Sequence, residues 1–127
     1  MGDIAELEII DRSIVRELMG VIADSDNKFM IELIEGFVRD ARAALGRMGS
    51  NVLANDAASL AREAHRLKGS SATVGAVRLA GECLLIERAA RDGRCAGLER
   101  HVERASQLLE ATRRGLGEFF RGTITTA

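Results

Sequence analysis

Apolar residues recur along most of the chain at mixed spacings of three and four, the period of an amphipathic α-helix. After a lead-in over residues 1–10, Asp11 stands where it can cap a short helix through RSIVRELMGVI, with Ile14, Leu18 and Val21 on one side. ADSDN reads as a turn, and Ser25 or Asp26 as the N-cap of a long second helix. Phe29, Leu33, Phe37, Ala41, Ala44, Met48 and Val52 form the apolar stripe of that helix. Gly49, Ser50 and Asn51 alone would argue for an earlier stop, but the period continues through them and predicts an end near Leu53. Asn55 and Asp56 supply a turn and the next cap.

A third helix is expected from about Asp56 to Thr73, with Ala57, Leu60, Ala64, Leu67, Ser71 and Val74 inward and Gly75 ending it. A fourth follows from about Ala76 to Arg91, with Leu79, Ala80, Cys83, Ile86 and Ala90 inward. RDGRCAG turns the chain. A last long helix carries Leu98, Val102, Ala105, Leu109, Thr112, Leu116 and Phe119. Four long amphipathic helices joined by short loops predict an all-α fold: an antiparallel up-down-up-down four-helix bundle with a short additional N-terminal helix. The bundle is expected over residues 11–120, leaving 121–127 as a C-terminal tail. The 127 residues suffice for one domain with one core.

Composition sharpens this reading. The chain has no proline, and Ala, Leu, Glu and Arg are abundant, which favours helix throughout. A net charge of −1 gives no general attraction to nucleic acid or anionic membrane. No Trp or Tyr and only four Phe leave little for stacking on bases. No apolar run reaches the length of a membrane span, and no signal peptide opens the chain, so a cytoplasmic location is expected. Cys83 and Cys95 have neither CxxC nor zinc-finger spacing and are expected as free thiols.

The candidate chemistry lies in AHRLKGSSATVGA, residues 64–76. His65 follows the inward Ala64, and a rotation of roughly 100° per residue carries it off the core stripe toward the flank. Ala61, Arg62, Lys68, Gly69 and Ala72 are its neighbours on that surface, small residues and cations that leave the ring uncovered. Gly69 costs helix propensity, roughly 1 kcal/mol relative to alanine. It either clears an approach to the imidazole or is a packing or surface glycine. Lys68, one turn from His65, disfavours the imidazolium by like-charge repulsion. A neutral imidazole has a lone pair that can attack phosphorus without a separate base. His101, the other histidine, lies among Glu99, Arg100, Glu103 and Arg104 and reads as a solvated rim residue. His65, His101 and Cys83 do not converge on a metal, because Cys83 is on the core stripe and His65 on a flank.

The segment AHRLKGSSATVGAVRLAGECLLIERAARDG resembles the histidine-containing phosphotransfer (HPt) domain of bacterial and eukaryotic two-component phosphorelays. The likeness runs through His-x-Leu-Lys-Gly-Ser, then Gly-Ala, then a Leu…Cys…Leu/Ile-Glu helix, and the helix order extends it from about Asp11 to Phe120. The resemblance implies that His65 accepts and donates a phosphoryl group through Nε2, that Lys68 helps hold the phosphoryl oxygens, and that Gly69 keeps the approach open. It places Leu67 in the core, makes Ser70 and Ser71 small residues without chemistry, and gives Gly75 and Ala76 the turn. A helical serine often bonds back to the carbonyl one turn earlier. The family often has a bulky residue near the start of the His-bearing helix, where this chain has DAAS.

The implied function is a relay carrier: His65 takes a phosphoryl group from a receiver-domain aspartate and passes it to another. No Gly-rich phosphate loop or kinase signature is present, so the chain is expected to be a phosphocarrier without ATP-dependent activity of its own. The expected partners are response-regulator receiver domains and a hybrid sensor histidine kinase, with Mg²⁺ supplied by the receiver. No cofactor or metal of its own is expected, since no carboxylate cluster is evident beside His65. Docking should use the flank around His65, with Arg62, Arg66 and Lys68 positive and Ala61 and Ala72 small. A monomer is the default for such a carrier. Two other readings stay open: a non-catalytic helical adaptor, and a phosphoacceptor domain cut from a larger kinase.

Overall fold

In the computed structural model, residues 8–21 and 27–124 are described, with side chains over 8–20 and 28–120. Five helices follow in order: α1 (Arg12–Val21), α2 (Asn27–Leu53), α3 (Ala57–Thr73), α4 (Val77–Arg91) and α5 (Glu99–Ile124). No strand occurs among the described residues. α2 packs on α3, α3 on α4, α4 on α5 and α5 on α2, so the four long helices close a bundle around one core. The helix ends agree with the sequence reading at Leu53, Thr73 and Arg91. The caps expected at Ser25 or Asp26, and the end of the first helix at Ile22, lie outside the described residues. α5 continues past Phe120 to Ile124, into the stretch read as a tail, where no proline stops it.

Local chemistry explains the boundaries. Asp11 Oδ1 accepts from the Ser13 and Ile14 amides at 3.0 and 3.3 Å and starts α1. Asp56 Oδ1 accepts from the Ser59 amide at 3.1 Å and starts α3. α3 ends in a Schellman turn: Ala76 N–H donates to Ser71 O at 2.8 Å and Gly75 N–H to Ala72 O at 3.1 Å, with Gly75 at φ +82°.

The core contains most of the expected stripes, with Met48, Leu60, Leu79, Ile86, Leu109 and Leu116 fully buried. Burying a side chain of this size contributes roughly 1.5–3 kcal/mol before entropy is counted. Three stripes shift. In α1 the buried residue is Val15, whereas Ile14 and Leu18 are only half-buried. In the first turns of α2, Met30 and Ile34 face the core and Phe29 is exposed. Near the end of α5, Phe120 is buried and Phe119 only half-buried. Each shift is one helical position, the error that a stripe traced from its less regular end allows. Ile9 and Ile10, read as lead-in, join the core. Ser71 is fully buried as expected of the stripe, but its hydroxyl does not bond back along the helix and has no partner among the described residues. Ser70 Oγ does, at 3.3 Å from Leu67 O.

Ion pairs tie the bundle on its outside. Arg47 grips Glu63 through Nε and Nη2 at 2.8 and 3.2 Å, joining α2 to α3. Arg42 does the same to Glu110 at 3.0 and 3.1 Å, joining α2 to α5. These are exposed pairs, whose attraction solvent and salt screen. Among the described residues no helix is long and apolar enough to cross a membrane.

Candidate functional site

The Gly75 turn folds α4 back along α3, and this hairpin sets the site. His65 lies ten residues before the turn and Glu87 twelve after it. The fold brings them together: His65 Nδ1 is 2.9 Å from Glu87 Oε2. Glu87 is a buried carboxylate, its side chain 6% exposed, while the His65 side chain is 59% exposed. Lys68 Nζ donates to the other oxygen, Oε1, at 2.9 Å. Arg91, one turn along α4, donates to Oε2 through Nε at 2.9 Å and through Nη2 at 2.6 Å. Three N–H groups thus converge on Oε2 and one on Oε1.

Glu87 is ionised under all ordinary conditions. The Lys68 hydrogen bond, against the opposing effect of burial and with help from Arg91 and His65, holds its carboxyl down to about 2. An ionised carboxylate can only accept, so the hydrogen on the shared contact belongs to Nδ1 of His65. The neutral ring then carries its lone pair on Nε2, the nitrogen away from Glu87. Nε2 has no hydrogen-bond partner among the described residues, and the ring faces solvent. The arrangement thus orients a nucleophilic nitrogen outward by gripping the other one.

The remaining residues fall around it as follows. Lys68 is 30% exposed and its charge is met by Glu87. The sequence argument from bare like-charge repulsion therefore does not apply in that form, since a carboxylate lies between lysine and imidazole. Gly69 is exposed, and a Cβ built on it would meet nothing within 4 Å. That removes the packing explanation for this glycine and leaves the flank open. Arg62, Arg66 and Ala72 are exposed. Ala61 is buried against the core and offers little surface to a partner, because the α3 stripe is wide enough to include it beside Leu60 and Ala64. Arg62 Nη2 donates to Ser59 Oγ at 3.0 Å. A shallow groove beside the ring is lined by Arg47, Ser50 and Asn51 of α2 and by Ser59, Arg62, Glu63, His65 and Arg66 of α3.

The sequence reading assigns Glu87 no role. The signal was present: it lies four residues after the inward Cys83, so it shares that face. An acid on an inward face needs partners, and the facing flank of α3 carries an imidazole and an ammonium. One carboxylate, that of Glu87, meets His65, and among the described residues no three His, Cys, Asp or Glu side chains gather into a ligand set. Cys83 and Cys95 are buried free thiols, and burial pushes the Cys83 thiol up to about 12. His101 is held elsewhere, its Nδ1 2.8 Å from Glu82 Oε2.

Two solved structures share this architecture. Histidine-containing phosphotransfer protein B (HptB) from Pseudomonas aeruginosa PAO1 superposes with a TM-score of 0.78 at 29% sequence identity, covering 91% of this chain and 96% of that one. Histidine-containing phosphotransfer protein ZmHP2 from maize superposes with a TM-score of 0.74 at 18% identity, covering 91% and 92%, and bears on the fold alone. The class is therefore the phosphotransfer helical bundle. The model of the Hpt domain matches residues 32–115, well over half of the chain, and the protein belongs to the Hpt domain family. Comparison with curated protein sequences found no match.

Proposed function

We propose that the protein is a phosphocarrier of two-component signalling that receives a phosphoryl group on Nε2 of His65 from a receiver-domain aspartate and delivers it to another. One observation carries this reading: Glu87 grips Nδ1 at 2.9 Å and leaves Nε2 outward and unpartnered. The family membership over residues 32–115 supports the general role.

In the transfer, the Nε2 lone pair attacks phosphorus in line with the acyl oxygen of the aspartyl phosphate, whose carboxylate leaves with the bonding electrons. No general base is needed, because the attacking nitrogen bears no proton. Phosphoryl transfer rests mainly on positioning and charge stabilisation. Lys68 has three donors and spends one on Glu87, so its others can meet phosphoryl oxygens. Gly69 leaves the approach to the ring clear. Arg62 and Arg66 present positive charge to an acidic receiver pocket, which would also bring the Mg²⁺. Nothing in the site requires ATP.

The direct test is incubation with a phosphorylated receiver domain while following the label. His65→Gln should accept none, and Lys68→Ala should transfer more slowly with helix content unchanged. Label on His65→Gln at the wild-type level would overturn the assignment. Failure of the wild type to accept label from every receiver of the source organism would favour a non-catalytic adaptor.

A further inference from the structure

We propose that His101 is a second phosphoryl-accepting histidine, loaded at Nε2 by small activated phosphoryl donors, acyl phosphates and phosphoramidates, and not by a receiver domain. It lies outside the site around His65 and does not depend on the role proposed there.

α4 presents a carboxylate to an imidazole on each of two sides. Glu82 and Glu87 are five residues apart, ~140° around a helix, so Glu87 meets α3 and Glu82 meets α5. Glu82 Oε2 is 2.8 Å from His101 Nδ1. The Glu82 side chain is 11% exposed and that of His101 32%. An ionised carboxylate only accepts, so the hydrogen on this contact belongs to Nδ1 and the lone pair of the neutral ring is left on Nε2. Nε2 has no hydrogen-bond partner among the described residues. A nitrogen nucleophile needs these conditions: a fixed tautomer, a fixed ring plane and an unspent lone pair.

The groove around the ring is lined by Arg100, Glu103, Arg104 and Gln107 of α5. Arg100 and Arg104 are exposed, and neither is paired with a carboxylate among the described residues. Their guanidinium groups are free to meet phosphoryl oxygens. Arg104 stands three residues after His101, as Lys68 stands three after His65. The next position differs. The residue four after His65 is the exposed Gly69, whereas the residue four after His101 is the buried Ala105. Two long arginine side chains also flank the approach to His101. A donor the size of an acyl phosphate fits such a site, while a folded receiver domain needs the open flank that Gly69 leaves.

In the transfer, the Nε2 lone pair attacks phosphorus and the N–P bond forms. The bond from phosphorus to the acyl oxygen breaks, and the carboxylate leaves with the bonding electrons. From phosphoramidate protonated on nitrogen, the P–N bond breaks instead and ammonia leaves. The ring keeps its Nδ1 hydrogen and carries its positive charge against Glu82.

The test incubates the full chain with phosphoramidate at about pH 8, above the ordinary histidine value, and locates the label by mass spectrometry without acid. The wild type should carry label on both His65 and His101, His65→Gln on His101 alone, and His101→Gln on His65 alone. His101 should be labelled about tenfold faster than N-acetylhistidine, which lacks the held ring. Glu82→Gln puts an amide that both donates and accepts in place of the carboxylate, which frees the tautomer and should slow labelling of His101 about tenfold. Arg104→Gln, at an exposed position, should slow it severalfold. Labelling of His101 in His65→Gln no faster than N-acetylhistidine would leave the residue a strut between α4 and α5 and overturn the proposal. So would an unchanged rate at His101 in Arg104→Gln, which decides the matter even if Glu82→Gln fails to fold. Label delivered to His101 by a phosphorylated receiver domain would overturn the restriction to small donors. A wild type labelled on His101 but never on His65 counts instead against the function proposed for His65.

Discussion

The amide of Asp11 donates to the carbonyl of Gly75 at 2.8 Å, so the residue that caps α1 is bonded to the left-handed residue that ends α3. Val15 Cγ2 would lie 3.0 Å from a Cβ on Gly75, and Asp11 O 3.2 Å. The N-terminal helix therefore seats directly on the backbone of the turn from which the His65–Glu87 hairpin hangs. Arg12 and Arg16 hold its other side over the Phe119 ring at 5.7 and 5.9 Å.

Gly75→Ala should consequently lose stability twice, through the left-handed backbone and through the displacement of α1. The first costs roughly 1–2 kcal/mol, and the total should reach about 2 kcal/mol or more. Urea unfolding measures it. A variant as stable as the wild type would show that the turn can relax away from α1.

Gly69 is the contrasting glycine. It is helical, exposed, and faces open space where a side chain would begin. Gly69→Ala should therefore raise stability by about 0.5–1 kcal/mol through backbone entropy alone. Gly69→Leu should remain folded and should accept phosphate from phosphoramidate at the normal rate, yet exchange more slowly with a receiver domain. Unchanged receiver kinetics in Gly69→Leu would mean that no partner uses this gap.

Ser71 illustrates what the helical period reveals and what it leaves out. Its inward position follows from spacing, and so do those of Leu60, Ala64 and Leu67, because burial on a helix is a matter of angle. Whether its hydroxyl finds a partner depends on the rotamer and on which atoms of the neighbouring helices lie within reach, and neither is written in the period. The same division separates His65 from Glu87. The exposure of His65 could be read from its place beside Ala64. The bond to Glu87 depends on how far α4 slides along α3, which the Gly75 turn sets and a count of residues does not. The docking flank shows the limit from the other side, since Ala61 and Arg62 are adjacent in sequence and only Arg62 reaches the surface.

That orphaned hydroxyl makes Ser71→Ala a favourable change. Removing a buried polar group without a partner relieves its desolvation cost, so the variant should be about 1 kcal/mol more stable, with phosphoryl acceptance unaltered. A loss of stability on urea titration would indicate that the hydroxyl is solvated inside the bundle.

Glu87 also links the site to stability through pH. Its carboxyl lies at about 2 in the folded protein against an ordinary value of 4.5, chiefly through Lys68. A carboxylate whose value is lowered by folding stabilises the fold when ionised. Its contribution is complete above about pH 4.5, and it is lost as the pH falls toward 2 and the folded protein must take up a proton there. Asp11, Asp56, Glu63 and Glu110 are lowered too, through Ser13, Ser59, Arg47 and Arg113 in turn, so acid destabilisation by itself does not identify Glu87. The difference between wild type and Glu87→Gln does. Their urea midpoints should lie furthest apart above pH 4.5, with the wild type the more stable, and should draw together as the pH falls toward 2. A gap that does not narrow on acidification would mean that the carboxylate contributes through its shape and not through its charge, and its hold on the imidazole proton would then have to be sought elsewhere.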